Sequence, residues 1–102
     1  MSTYHLSAEA KRDLESIHDY IAEDNPAAAL RVVVRIKETC ELLAQFPLIG
    51  RIRPELGKSI RSFPVKSHLL LYRLGKGEIE IARVYHMKRD LRKLEGTFDV
   101  EP

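Results

Sequence analysis

The chain has 102 residues, 44% hydrophobic and 31% charged, the make-up of one small globular domain with no room for a second. No stretch approaches the roughly 18 continuous apolar residues of a membrane span, and Met1-Ser2-Thr3-Tyr4-His5 lacks the features of a secretory leader, so a cytoplasmic protein without membrane contact is expected. The net charge of +2 hides an asymmetry: residues 51–93 hold twelve Lys/Arg against four Asp/Glu, and residues 1–50 hold five against eight. The basic segment is therefore expected to meet an acidic partner.

Tyr4-His5-Leu6 is long enough only for a brief strand. Ser7 is placed to cap a helix, with Glu9 in its first turn, where the helix dipole favours an anion. Ala10, Leu14, Ile17 and Ile21 then form one apolar stripe, and Asp13, Glu15, Asp19, Glu23 and Asp24 are expected on a solvated face. Asn25-Pro26 ends that helix and opens another, with Asn25 as cap and Pro26 in the first turn. Its stripe is Ala29, Val33, Ile36, Cys40 and Leu43. Two amphipathic helices with almost no linker fold back as a hairpin. Cys40, the only cysteine, can form no internal disulfide and is expected to be a buried small hydrophobe. Cys and His spacing fits no zinc pattern, so neither metal nor cofactor is expected.

Phe46-Pro47 closes the second helix, and Pro47 to Gly57 is a loop carrying Arg51 and Arg53. Three strands follow. Ser59–Lys66 contains Pro64, which lacks a ladder donor and marks an edge or a bulge. His68–Leu74 is an apolar run suited to a central strand, and Gly75-Lys76-Gly77 is a hairpin turn into Glu78–His86. Met87–Leu94 is expected to add a short helix, and 95–102 a loose tail. The whole is an α+β domain, a helical hairpin packed on a small antiparallel sheet. Arg61, Arg73 and Arg83 alternate with apolar residues and are expected to project from the less buried face of that sheet.

Catalytic signatures are missing: there is no phosphate-binding glycine loop, no nucleophile elbow and no His-Glu-x-x-His. The polar residues near the strand ends, Tyr72, His86 and Arg89 with His68, Tyr85 and Lys88, are of the types that move protons or hold phosphates. They also serve as ordinary hydrogen-bonded structural groups.

Several motifs together resemble a known family. Asp13-Leu14 with Ile17, Tyr20-Ile21-Ala22 and Asn25-Pro26-x-Ala28-Ala29 is similar to the helical hairpin of ParE-type toxins, in the ParE/RelE superfamily. So are Leu43-Ala44-x-Phe46-Pro47-x-x-Gly50-Arg51-x-Arg53-Pro54-Glu55-Leu56, Arg61-Ser62-Phe63-Pro64-Val65, Leu71-Tyr72-Arg73 and Ile81-Ala82-Arg83-Val84-x-His86-x-x-Arg89-Asp90-Leu91. The resemblance implies the toxin of a bacterial type II toxin–antitoxin pair. A ParD-like antitoxin would wrap it, forming a hetero-oligomer. ParE-branch toxins poison DNA gyrase, whereas RelE-branch relatives cut messenger RNA on the ribosome. Leu69 stands where that second branch would carry an arginine, and no tyrosine follows Tyr85. The expectation is therefore a non-enzymatic gyrase inhibitor, whose target- or antitoxin-binding residues are Arg51, Arg53, Arg61, Tyr72, Arg73, Arg83, His86 and Arg89. Its rival is a RelE-like endoribonuclease, with His86 or Tyr72 handling protons and Arg89 holding phosphate.

Overall fold

A computed structural model of the chain describes residues 3–99. In order they form β1 (Thr3–Leu6), α1 (Ala8–Ala22), α2 (Pro26–Gln45), β2 (Arg51–Ile52), β3 (Ile60–Val65), β4 (His68–Leu74) and β5 (Glu78–His86), followed by 3-10 turns at Leu91–Leu94 and Thr97–Asp99. Both helix starts are capped as their sequences require. The Ser7 hydroxyl accepts from the Ala10 N–H at 3.0 Å, and the Asn25 side chain accepts from the Ala28 N–H at 3.0 Å. Such caps stabilise by about 1 kcal/mol each.

The five strands run in the order β1-β5-β4-β3-β2. From β2 to β5 every pairing is antiparallel, as expected, but β1 lies parallel to β5, so the sheet is mixed. A parallel neighbour needs a long crossover. Here the two helices and the whole meander intervene between β1 and β5.

Both faces of the sheet are covered. The α1–α2 hairpin packs its stripes (Ala10, Leu14, Ile36, Cys40, Leu43) against Leu70, Tyr72, Ile79, Ile81 and Val84. On the other face Ile60, Leu71 and Tyr85 are covered by Leu56 and Leu94, with Leu91 and Phe98 against them. Burial of β4 on both sides explains its unbroken apolar run. Pro64 sits beyond the two β3 residues that β2 pairs, on the part of β3 that forms the sheet's margin.

Two local expectations are corrected. The short C-terminal helix does not begin at Met87, because the His86 ring Nδ1 accepts the Lys88 N–H at 3.0 Å and the His86 carbonyl accepts from Arg89, which folds 87–89 into a turn. Helical geometry starts only at Leu91, as a 3-10 turn capped by Asp90. The segment 95–102 includes Phe98, packed on the far-face cluster, and its last three residues lie outside the described ones.

Register decides which residues share a face, because directly opposed residues of an antiparallel pair point the same way. The two-residue turn Lys66-Ser67 sets Arg61 opposite Tyr72, and Ile60 opposite Arg73. Arg61 therefore lies on the helix side and Arg73 on the far side, not together. A register shift opposite Leu71/Tyr72 places one extra residue, Ala82, in β5.

Candidate functional site

Where α1, the β3–β4 turn and the end of β5 converge, the surface opens into a groove of about 580 Å³. Its wall is apolar: Ile17, Tyr20 and Ile21 from α1 and Val32 from α2, with Tyr20 78% exposed. Its rim is basic or polar: Lys66, Ser67, His68, His86 and Arg89.

The two histidines face one another across β4 and β5, with ring centroids 4.9 Å apart in an edge-to-face arrangement. Burial, then repulsion from His86, holds the His68 pKa below the ordinary histidine value, against a smaller opposing pull from Asp13. The His86 Nδ1 is occupied as an acceptor by the Lys88 N–H, which leaves Nε2 to carry the proton of the neutral ring. The exposed Arg89 guanidinium lies over the Tyr85 ring, 4.6 Å from its centroid, and Arg83 approaches the same ring at 5.4 Å. Lys66 has a φ of 56°, a left-handed backbone that L side chains rarely adopt. Strained residues of that kind gather at functional surfaces.

Arg83 is placed differently from the expectation. Past Leu6 the outer edge of β5 has no strand beside it, and α1 closes it instead. The Ser7 hydroxyl donates to the Ala82 carbonyl at 2.8 Å, and the Ser7 N–H to the Ile81 carbonyl at 3.0 Å. The Asp13 carboxylate accepts the Val84 N–H at 2.9 Å and both Nε and Nη2 of Arg83, at 2.7 and 3.0 Å. Asp13 is thus no member of a solvated face; its side chain is only 14% exposed. The bond to Asp13 raises the Arg83 pKa further.

Tyr72 and Arg61 are likewise engaged inside the fold. The buried Tyr72 hydroxyl donates to the Pro47 carbonyl at 2.7 Å and accepts the Gly50 N–H at 2.9 Å, and burial pushes its pKa up. Arg61 donates to the carbonyls of Leu48 and Gly50 at 3.2 and 2.9 Å. On the far face Arg53 donates to the Ser62 hydroxyl and pairs with Glu55, and Arg73 pairs with Glu80 at 2.8 Å. The Arg51 side chain is exposed and forms no hydrogen bond or ion pair with a described residue.

Of the eight expected site residues the groove therefore unites two, His86 and Arg89. Sequence reasoning missed Tyr20 and Lys66 there. Tyr20 follows Ile17 by one helical turn and so was readable as the stripe's border; Lys66 needed the exact turn position. No cluster of three His, Cys, Asp or Glu among the described residues is placed to hold a metal. Burial pushes the Cys40 thiol up to about 12, so it is no thiolate at neutral pH. No helix among the described residues is long and apolar enough to cross a membrane.

A helical hairpin on a five-stranded sheet is an architecture shared with solved structures of toxin–antitoxin systems. The profile of the ParE toxin of the type II toxin–antitoxin system parDE matches residues 4–91, and the chain belongs to that family. It is 33% identical over 95 residues to Toxin ParE1 of Mycobacterium tuberculosis, covering 88% of this chain and 94% of that one. To Toxin RelE2 of Caulobacter vibrioides it is 31% identical over 80 residues, 78% of this chain and 89% of the relative. A solved structure of the chromosomal ParDE toxin–antitoxin system from P. aeruginosa superposes with a TM-score of 0.73 at 26% identity, over 86% of this chain and 98% of its own. The RelBE2 toxin–antitoxin complex of M. tuberculosis aligns with a TM-score of 0.55 at 27% identity, over 83% and 96%. This chain is a toxin of the ParDE type.

Proposed function

We propose that the toxin acts by binding, that DNA gyrase is its target, and that a ParD-like antitoxin neutralises it by occupying the groove. The state of Tyr72 supports a binder most directly. Its hydroxyl is buried with donor and acceptor both engaged, so it has no proton to exchange with a substrate. His86 is left without that partner, and since the second rim histidine, His68, is buried against it, His86 with Arg89 is a poor acid/base set for RNA cleavage. The groove in turn suits an amphipathic helix or strand from the antitoxin, with apolar residues against Ile17, Tyr20 and Ile21 and carboxylates toward Lys66 and Arg89. Solved relatives described as toxin–antitoxin assemblies favour such a partner.

Supercoiling of relaxed plasmid by purified gyrase tests the target. The toxin is expected to stop it in a dose-dependent way, and the antitoxin from the neighbouring gene to restore it. Undiminished supercoiling at a large excess of folded toxin would remove gyrase as the target.

A further inference from the structure

From the end of α2 through β2 the chain places four large apolar side chains on the surface within seven residues: Phe46 (54% exposed), Leu48 (66%), Ile49 (49%) and Ile52 (56%). The loop that carries them is braced from beneath. Tyr72 holds the Pro47 carbonyl and the Gly50 N–H, and Arg61 holds the carbonyls of Leu48 and Gly50. A Cβ at Gly50 would run into the Tyr72 hydroxyl and ring, so the loop sits as close to that side chain as backbone allows. A rigid loop loses little entropy when something docks on it.

The sheet ends beside this loop. β2 is its outermost strand. The Arg53 N–H donates to the Ile60 carbonyl at 2.9 Å, so the alternation of an antiparallel ladder turns the N–H and C=O of Ile52 outward. No described residue pairs them. Arg51, next to Ile52, is exposed and has no ion-pair partner among the described residues, and it lies in the strongly basic part of the sequence.

We infer that the braced loop and the open β2 edge form one docking surface for an extended acidic segment of the protein that the toxin poisons. The segment adds as a strand beside Ile52, sets apolar side chains on Leu48, Ile49 and Ile52, and brings carboxylates to Arg51. This rests on the toxin reading above and assigns to its target a surface separate from the antitoxin groove; the two share no lining residue. Three of the four apolar side chains are aliphatic and offer a nucleic-acid base no stacking plane. A second copy paired strand to strand about Ile52 would set Arg51 against Arg53, a like-charge contact.

The test uses the full chain, expressed alone and with its antitoxin. Leu48→Asp and Arg51→Glu change exposed groups, and Ile52→Pro removes the outward N–H together with the exposed isoleucine side chain. Each variant is expected to keep the wild-type melting temperature and antitoxin capture, while the loss of colony formation on induction weakens roughly a hundredfold, the scale of a hot-spot side chain. Folded variants as toxic as wild type would overturn the inference. So would variants that lose antitoxin capture and stay toxic, since the surface would then belong to the antitoxin. If the wild-type chain itself causes no growth arrest, the toxin reading fails first and takes this one with it.

Discussion

At the scale of single residues, the polar groups that resembled reactive ones are mostly structural. Tyr72 shows why sequence could not reveal this: a tyrosine in a strand reads the same whether its hydroxyl meets solvent or a loop backbone. Tyr72→Phe leaves the Gly50 N–H and the Pro47 carbonyl without their buried partner. We expect about 1–3 kcal/mol of lost stability in urea unfolding. A variant as stable as wild type would show that the brace is dispensable. His68 makes a pH prediction. Its folded pKa lies below the ordinary value of 6.5, so between the two the unfolded chain binds more protons, and stability falls as pH drops through that window. Burial pushes the Glu80 pKa up, but the bonds and charges of Arg73 and His5 together hold it below the usual carboxylate value, so Glu80 loses its contribution at lower pH and does not blur the step. Urea midpoints between about pH 7.5 and 5 should decline, and His68→Gln should flatten the decline; equal slopes would exclude His68 as its source. Lys66→Gly removes a left-handed strain of about 1–2 kcal/mol but adds unfolded-chain freedom. Stability should hold or rise slightly while antitoxin affinity, measured by titration calorimetry, falls. Unchanged affinity would mean that the strained lysine does not serve the groove.

At the scale of elements, both helices were readable from apolar spacing and caps, since Ser7 and Asn25-Pro26 announce their starts within a few residues. The parallel seat of β1 was not. It depends on contacts more than seventy residues apart, and a four-residue strand carries no register code of its own. The faces of Arg61 and Arg73 were misjudged for a related reason. A two-residue turn at Lys66-Ser67 pairs odd positions of β3 with even positions of β4, so two arginines at odd positions land on opposite faces. The extra residue Ala82 then shifts the parity again in β5. The fastening of α1 to β5 through Asp13 follows from this placement. Arg83→Ala should destabilise by about 1.5–3 kcal/mol, because it strips a partly buried carboxylate of two charged donors. Arg89→Glu, at an exposed position, should lose no more than the contact with the Tyr85 ring, about 0.5–1 kcal/mol, and weaken antitoxin capture. Equal stability losses for both variants would deny the distinction between a fastening and a rim arginine.

At the scale of the whole molecule, the charge asymmetry seen in the sequence divides into internal pairs and free rim charges. Arg53, Arg73 and Arg83 are neutralised within the fold, whereas Arg51, Lys66 and Arg89 face outward without an ion-pair partner among the described residues. Attraction between that rim and an acidic partner should therefore accelerate association and weaken with salt. The family was readable because many short motifs recur in one order along the chain, while the target was not, because binding surfaces are made by register and loop bracing. Adhesion rather than bond breaking is the proposed mode of action. Its most direct test mixes purified toxin with translating ribosomes and messenger RNA, and maps the 5′ ends by primer extension. Intact message at toxin doses that arrest growth is the expected result. Discrete new ends, abolished by Arg89→Ala or His86→Gln in a folded chain, would contradict it.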